Sequence, residues 1–375
     1  MNSKLKEVAL VFFKLGCFAF GGPAAHIAMM EDEIIEKRKW MTRDYFLDLI
    51  GTTNLIPGPN STEMTMHCGY ERAGKAGLFV AGIAFIIPAT IITAILAYLY
   101  VNYGKLPQVE PFIYGIKPAV LAIIASAILK LGKKAIKSTE LIILGILVLV
   151  VSLLGVNEII ALLSAGVLGM LYFYLKSKTL SNLNAISPFL LLFGIHTTVA
   201  KVSTLKLFLI FLKVGTILYG SGYVLFAYLD EELVTRGLLT RAELIDAIAI
   251  GQFTPGPVLS TSTFIGYQLL GFSGALVATA GIFLPSFLFV LILNPFIPKM
   301  QNSKILRYFL DSINVAAVAV MLAVLIIMAK DTLMELQSIS IAVVAVILIF
   351  KTKVSTIWTI VVGAILGYVL LIFFK

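Results

Sequence analysis

Apolar stretches near or above ~18 residues, the length that crosses a bilayer as a helix, recur at 77–101, 111–129, 157–175, 273–297, 313–329 and 356–374. Two further apolar segments, 5–30 and 205–229, read as one crossing helix each. Between them, the pattern breaks twice in the same way. Asn54-Leu-Ile-Pro57-Gly58-Pro59 returns two hundred residues later as Gln252-Phe-Thr-Pro255-Gly256-Pro257. Proline removes a backbone donor and glycine relaxes the chain, so neither triplet belongs inside a regular helix. At membrane depth such a break is tolerated only where it is buried in protein or lines a wet cavity. Matched breaks in matched halves are the sequence pointer to a transporter's substrate site.

The two halves align over most of their length. Phe13-Lys14-Leu15-Gly16 falls on Leu212-Lys213-Val214-Gly215, and Phe20-Gly21-Gly22-Pro23 on Tyr219-Gly220-Ser221-Gly222. Glu31-Asp32-Glu33 falls on Asp230-Glu231-Glu232, Gly69-Tyr70 on Gly266-Tyr267, Gly74 on Gly271 and Pro88 on Pro285. Single-residue gaps suffice, which two unrelated greasy segments would not allow. Each half therefore reads as a helix, a Pro-Gly-Pro hairpin (43–72 and 241–270) and four more helices. In the first hairpin, residues 43–56 would span ~21 Å and residues 60–70 only ~16 Å, so the second arm cannot cross a ~30 Å core alone. A re-entrant hairpin is the favoured reading, and one kinked crossing helix is the alternative. With five crossings per half, the halves would be inverted.

The fold expected is thus all-α and polytopic, with two inverted-topology repeats of about five transmembrane helices each plus a re-entrant hairpin. The repeats are 1–176 and 205–375, joined by a cytoplasmic linker at 177–204. Loop charge supports inversion. Residues 130–137 carry Lys130, Lys133, Lys134 and Lys137, whereas their counterpart 330–338 pairs one lysine with Asp331 and Glu335. Residues 298–307 hold Lys299, Lys304 and Arg307 against the single Lys105 of 101–110. By the positive-inside rule the members of each pair lie on opposite sides, with 31–43, 130–137, 176–206 and 298–307 in the cytoplasm and both termini outside. Lys4 and Lys6 sit awkwardly at such an outside terminus.

Composition agrees: 59% of residues are hydrophobic, 13% are charged, and the net charge is +9. In so apolar a chain that charge marks basic loops meeting anionic lipid rather than nucleic acid. Cys17 and Cys68 form no metal spacing and read as spectator thiols. No phosphate-binding loop, zinc-protease motif or CxxC is present. Energy must come from ion gradients or membrane potential.

Candidate chemistry centres on the breaks. Pro59 and Pro257 suit the first position of a helix, and Asn60, Ser61 and Thr62, or Ser260 and Thr261, follow at once. Free N–H groups, a positive dipole end and hydroxyl donors make an anion-binding site. Gly21, Gly22 and Pro23, with Gly220 and Gly222 opposite, form a second break, and Asn54 and Gln252 a paired amide. Lys14 and Lys213 lie deep in matched helices as substrate-facing or ion-paired cations. Arg43 and Arg241 open the hairpins as interface anchors or vestibule residues. Glu63, facing a hydroxyl in the other half, is a structural acceptor or a proton-coupling group; His67 is equally unmatched.

With the two Pro-Gly-Pro triplets, the Phe20-Gly21-Gly22-Pro23 motif and the repeat in hand, the whole chain resembles the long members of the chromate ion transporter family. The resemblance implies chromate efflux from the bacterial cytoplasm across the cell membrane, with sulfate as a related oxyanion, and chromate resistance. It departs at Gly220-Ser221-Gly222, which lacks a Gly-Gly-Pro. The expected partners are the oxyanion and the lipid bilayer, with a homodimer left open, no nucleic acid and no cofactor. An oxyanion channel, or a sulfate-type exchanger or proton symporter of the same architecture, is the alternative reading, and an enzyme is not expected.

Overall fold

The computed structural model describes residues 3–20, 22–177, 203–219, 222–296, 303–352 and 354–373. Gly21, Gly220, Lys299 and the linker from 178 to 202 lie outside them. The described residues are largely helical, with no strand among them. The first half comprises α1 (Ser3–Phe18), α2 (Pro23–Met30) continuing as a π-helix (Glu31–Lys37), α3 (Arg43–Thr53), α4 (Asn60–Tyr103), α5 (Glu110–Ala135), α6 (Thr139–Leu153) and α7 (Glu158–Ser177). The second comprises α8 (Thr204–Ile217), α9 (Leu225–Leu229) continuing as a π-helix (Asp230–Val234), α10 (Arg241–Phe253), α11 (Thr261–Leu293), α12 (Lys304–Thr332), α13 (Leu336–Lys351) and α14 (Thr356–Phe373).

The halves repeat in detail. Thr42 and Thr240 cap α3 and α10 by accepting from the Tyr45 and Glu243 backbone N–H, satisfying orphan donors at each start. Both α4 and α11 bend sharply within their first half, at Ala73–Gly74 and Leu270–Gly271, where Gly74 and Gly271 each take φ +63°. Only glycine adopts that region at little cost, which is why this pair recurs. Bilayer helices associate through close packing of small residues rather than through apolar transfer. Accordingly, a β-carbon at Gly16 would lie 2.5 Å from the Phe85 carbonyl, and one at Gly215 2.5 Å from the Ile282 carbonyl.

The segments 5–30 and 205–229 are not single crossing helices. The chain breaks at Ala19–Gly22 and turns back. Glu7, near the start of α1, meets Arg72 at 2.7 Å and Arg38 at 3.8 Å, and accepts from Trp40 Nε1 at 3.2 Å. His26 lies 3.1 Å from the Ala19 carbonyl. Thus α1 and α2 run antiparallel as a helical hairpin. In the second half Lys213 meets Glu232 at 2.6 Å and the Tyr228 hydroxyl donates to the Ile217 carbonyl at 3.0 Å, so α8 and α9 do the same. Each arm is too short to cross, at ~24 Å or less. The start of α1 consequently lies at the same end of the bundle as residues 38–40, not opposite them.

Without those arms, each half keeps three described helices long and apolar enough to cross, against the five crossings expected. Six described helices have the length and composition of a membrane span: α4, α5, α7, α11 with its preceding turn, α12 and α14. α6 and α13 are apolar but shorter. The halves interlock: α5 packs against α13 and α14, α12 against α6 and α7, and α4 against α11. At one end of the bundle Lys137 meets Asp311 at 2.6 Å and Lys176 pairs with Glu140. At the other, the Tyr114 hydroxyl donates to Glu335 at 2.6 Å, Arg241 meets Asp331 at 2.7 Å and Asn157 donates to Glu231. Ser177 therefore lies at the first end and Ser203, beside Lys206 and Arg236, at the second.

Candidate functional site

The bends of all four hairpins meet at the centre. The Gly58 N–H donates to the Leu218 carbonyl at 2.7 Å, and the Gly256 N–H to the Ala19 carbonyl at 2.9 Å. Each Pro-Gly-Pro glycine thus ties its triplet to the bend of the other half's first hairpin. Those two N–H groups, which precede the helix starts, are structural. Gly58 and Gly256 take φ +148° and +83°. A β-carbon at Gly256 would lie 2.9 Å from the Ala89 β-carbon; one at Gly58 would meet the Glu63 carboxyl and lie 2.6 Å from Ser286 Oγ. Gly22 (φ +80°) faces the Tyr223 hydroxyl, and Gly222 faces Leu259.

Three return arms start at this centre without a side-chain cap. α2 begins at Pro23 after Gly22, α4 at Asn60 after Pro59, and the 3-10 turn Val258–Ser260 after Pro257. The positive ends of these segments converge on one region. Around it are two buried donors without an acceptor, Thr62 Oγ1 and Gln252 Nε2, and a third, Ser286 Oγ, whose neighbour is the Glu63 carboxyl. Buried polar atoms in native folds are normally satisfied, so a group of unsatisfied donors calls for a ligand or water. Ser260 Oγ lies 3.4 Å from Thr254 Oγ1, and Thr261 Oγ1 is occupied by the Val258 carbonyl at 2.8 Å. Pro57, Pro59, Ser61, Pro255 and Pro257 are buried with them.

Glu63 sits among these groups with no exposed surface and both carboxyl oxygens without a well-formed hydrogen bond, the Ser286 hydroxyl beside it. Chemically, the arrangement offers donors and positive dipole ends to an acceptor-rich anion, with one carboxyl alongside.

Other sequence candidates lie away from the centre. Lys213 is held by buried Glu232, which Arg236 also meets at 3.0 Å. Lys14 is exposed and near Glu33, at the foot of the first hairpin. Burial opposes ionisation of Glu33, but Lys37, Lys14 and Arg38 together hold its carboxyl below the usual value. Arg43 meets Glu31 at 2.8 Å, and Arg241 clamps Asp230 at 2.9 Å and 3.3 Å. A cavity of about 340 Å³ lined by Lys206, Lys213, Glu232 and Arg236 opens at the foot of α8, far from the bends.

The halves differ most in their Pro-Gly-Pro hairpins. α10 packs against α4, α5, α12 and α14 as well as α11, whereas α3 packs chiefly on its own return arm and π-helix. Asp44, Asp48, Gly51 and Asn54 form an exposed face of α3. The matched stretch of α10 is buried from Leu244 to Ala249, and Asp246 accepts from the Tyr100 hydroxyl at 2.7 Å and meets Lys117 at 3.5 Å. Asn60 Nδ2 donates to Asn54 at 2.6 Å, whereas the matched Gln252 amide nitrogen is buried without a partner. Sequence reasoning misses Asp246 and Lys117, although each is an ionisable residue in an apolar run, which is itself a signal.

Comparison with known proteins places these features in context. The Chromate transporter family profile matches residues 6–170 and again 205–368. The Chromate transport protein of Cupriavidus metallidurans is 31% identical over 356 residues, covering 93% of this chain and 88% of its own. The Probable chromate transport protein of Synechococcus elongatus is 28% identical over 356 residues, covering 92% and 90%. An uncharacterized transporter of Bacillus subtilis, 25% identical over 183 residues, covers 47% of this chain but 92% of its own, so a relative exists at the length of one half. No solved structure matches.

Proposed function

The chain belongs to the Chromate transporter family, and on that premise we propose that it is a secondary transporter exporting chromate, or a related oxyanion such as sulfate, from the cell. It is a multi-pass membrane protein. The observation that carries the reading is the convergence of uncapped helix starts and unsatisfied buried donors where the four bends meet. Those groups suit an anion with several acceptor oxygens.

The halves act as inverted repeats. Two hairpins enter from the end marked by Glu7, Arg38 and Arg72, and two from the end marked by Arg241 and Asp331. The Tyr45 hydroxyl donates to Glu71 at 2.8 Å, joining the feet of α3 and its return arm, which supports a re-entrant hairpin over a kinked crossing helix. The first half returns to its starting end, with the shorter α6 linking the two ends of the bundle between α5 and α7. The expectation of a cytoplasmic linker at 177–204 falls largely outside the described residues, of which Ser177 and Ser203 lie at opposite ends of the bundle. Lys4, Lys6, residues 37–43, 130–137 and Lys304 and Arg307 then share one basic, cytoplasmic end.

The unequal hairpins favour alternating access over a channel. A polar face at membrane depth needs water or protein, so the exposed α3 face reads as the wall of a vestibule open at the cytoplasmic end. The docked α10 closes the other. A dianion leaving a cell negative inside gains ~2.3 kcal/mol per charge per 100 mV, or ~4.6 kcal/mol in all, so export is downhill electrically. Chromate and sulfate flux in proteoliposomes under potassium–valinomycin clamps tests this: the rate should follow the imposed potential and saturate with anion. A rate indifferent to potential at fixed pH would replace electrogenic export with electroneutral exchange.

A further inference from the structure

Glu63 has no role in holding the fold that its contacts reveal. It lies in the first turn of α4, with no exposed surface, and its carboxyl covers the α-carbon of Gly58 where the central hydrogen bond to Leu218 is made. The elements packed around it bring little charge. α11 presents the uncharged Ser286, the end of α8 presents the Tyr219 phenol, and His67 follows one turn along α4 itself. Neither carboxyl oxygen has a hydrogen-bonding partner of good geometry, and no described lysine, arginine or histidine forms an ion pair with it.

Where the carboxyl of Glu63 ionises in the empty site, the helix starts supply the positive potential that tolerates its charge. An arriving oxyanion draws on the same helix ends. Once it binds, the carboxylate charge is no longer needed and opposes the substrate's own. We propose that Glu63 is a proton-binding site linked to the anion site, so that the carboxylate takes one proton from water as the oxyanion binds and releases it when the oxyanion leaves. The anion then travels with a proton. For a dianion, one net negative charge moves per cycle, so transport stays electrogenic at half the charge. The inference rests on the reading of the four bends as an oxyanion site.

Sulfate is the cleaner probe because its charge is constant across the neutral range. Its binding to the purified full-length protein should weaken by about tenfold per pH unit once Glu63 ionises in the empty site, the slope of one linked proton. In an unbuffered solution with a pH indicator, about one proton should be taken up per sulfate bound. Glu63→Gln should bind sulfate with an affinity independent of pH and take up no proton. Sulfate binding to the unaltered protein without proton uptake overturns the proposal while leaving the oxyanion reading intact. Equal proton uptake in Glu63→Gln also overturns it. If neither sulfate nor chromate binds, the oxyanion reading itself fails and takes the proposal with it. Because the first two measurements use the unaltered protein, misfolding of the variant does not blunt the test.

Discussion

Replacing Asp246 with alanine should release α10 and open the end of the molecule that is closed in this structure. Asp246 keeps 6% of its side-chain surface and is held by the Tyr100 hydroxyl at 2.7 Å and by Lys117 at 3.5 Å. Truncating one member of a fully buried ion pair costs ~3–5 kcal/mol. Lys117 retains 25% of its exposure, so water relieves part of that, and a loss of ~2–3 kcal/mol for the docked arrangement is the better figure. That corresponds to a shift of ~30- to 150-fold between docked and undocked populations. The assay is thiol accessibility in sealed vesicles of both orientations, in a background lacking Cys17 and Cys68. A cysteine at Gln252 should resist an impermeant reagent applied from the 330–338 side, and should be labelled from there after Asp246→Ala. The matched cysteine at Asn54, reached from the opposite side, should become less reactive in the same variant. If Gln252 stays protected and Asn54 stays reactive in a folded Asp246→Ala protein, the ion pair does not control access.

Three further outcomes follow from the same geometry. Gly256→Val should abolish transport without preventing insertion, because a β-carbon there lies 2.9 Å from Ala89 and the residue holds φ +83°; normal flux in a well-inserted variant would reduce the triplet to a packing device. Cysteines at Lys39 and within 130–137 should be labelled from one side only and cysteines at 330–338 from the other, and shared labelling of 130–137 and 330–338 would end the inverted arrangement. Lys213→Met should cost ~1 kcal/mol of stability or less, since Glu232 keeps Arg236, and should leave sulfate affinity within twofold; a larger affinity loss would put the lysine in the anion path.

The breaks are legible because their residues leave the backbone no choice. Proline and glycine at 57–59 and 255–257 exclude a helix whatever surrounds them, and both glycines hold positive φ. The reversal at Ala19–Gly22 is not legible. α1 and α2 together have the length and hydropathy of one crossing helix, and a local break does not state the angle of the next arm. That angle is decided by contacts remote in sequence, Glu7 with Arg72 and Lys213 with Glu232. Loop charge points to inversion without depending on the number of crossings. In each half the first expected crossing is replaced by a short helical hairpin. The candidate site is legible in part: the structure brings the bend residues together, with the Gly58 and Gly256 donors spent on carbonyls of the opposite half.

Divergence between the halves explains why one hairpin is docked and its twin is not. On the proposed reading of the halves as inverted repeats, the fold has two equivalent arrangements, and identical halves would populate them equally. Gly115 packs on Gly363 and Gly367, while Ser312 packs on Gly169. Matching Gly115 to Ser312 puts Asn314 of α12 at the position that Lys117 holds in α5. Asp246 therefore docks on a cation, whereas Asp48, docking at the matched place, would meet an amide. An ionised carboxylate in a low-dielectric setting gains more from the lysine. On the proposed alternating-access reading, the arrangement with α10 docked and α3 exposed is the resting one, and anion binding must supply the difference before the other end can open. On this argument Asn314→Lys should even out the two states, raising protection of a cysteine at Asn54 and exposing one at Gln252. No change in either would show that the preference lies elsewhere than in this pair.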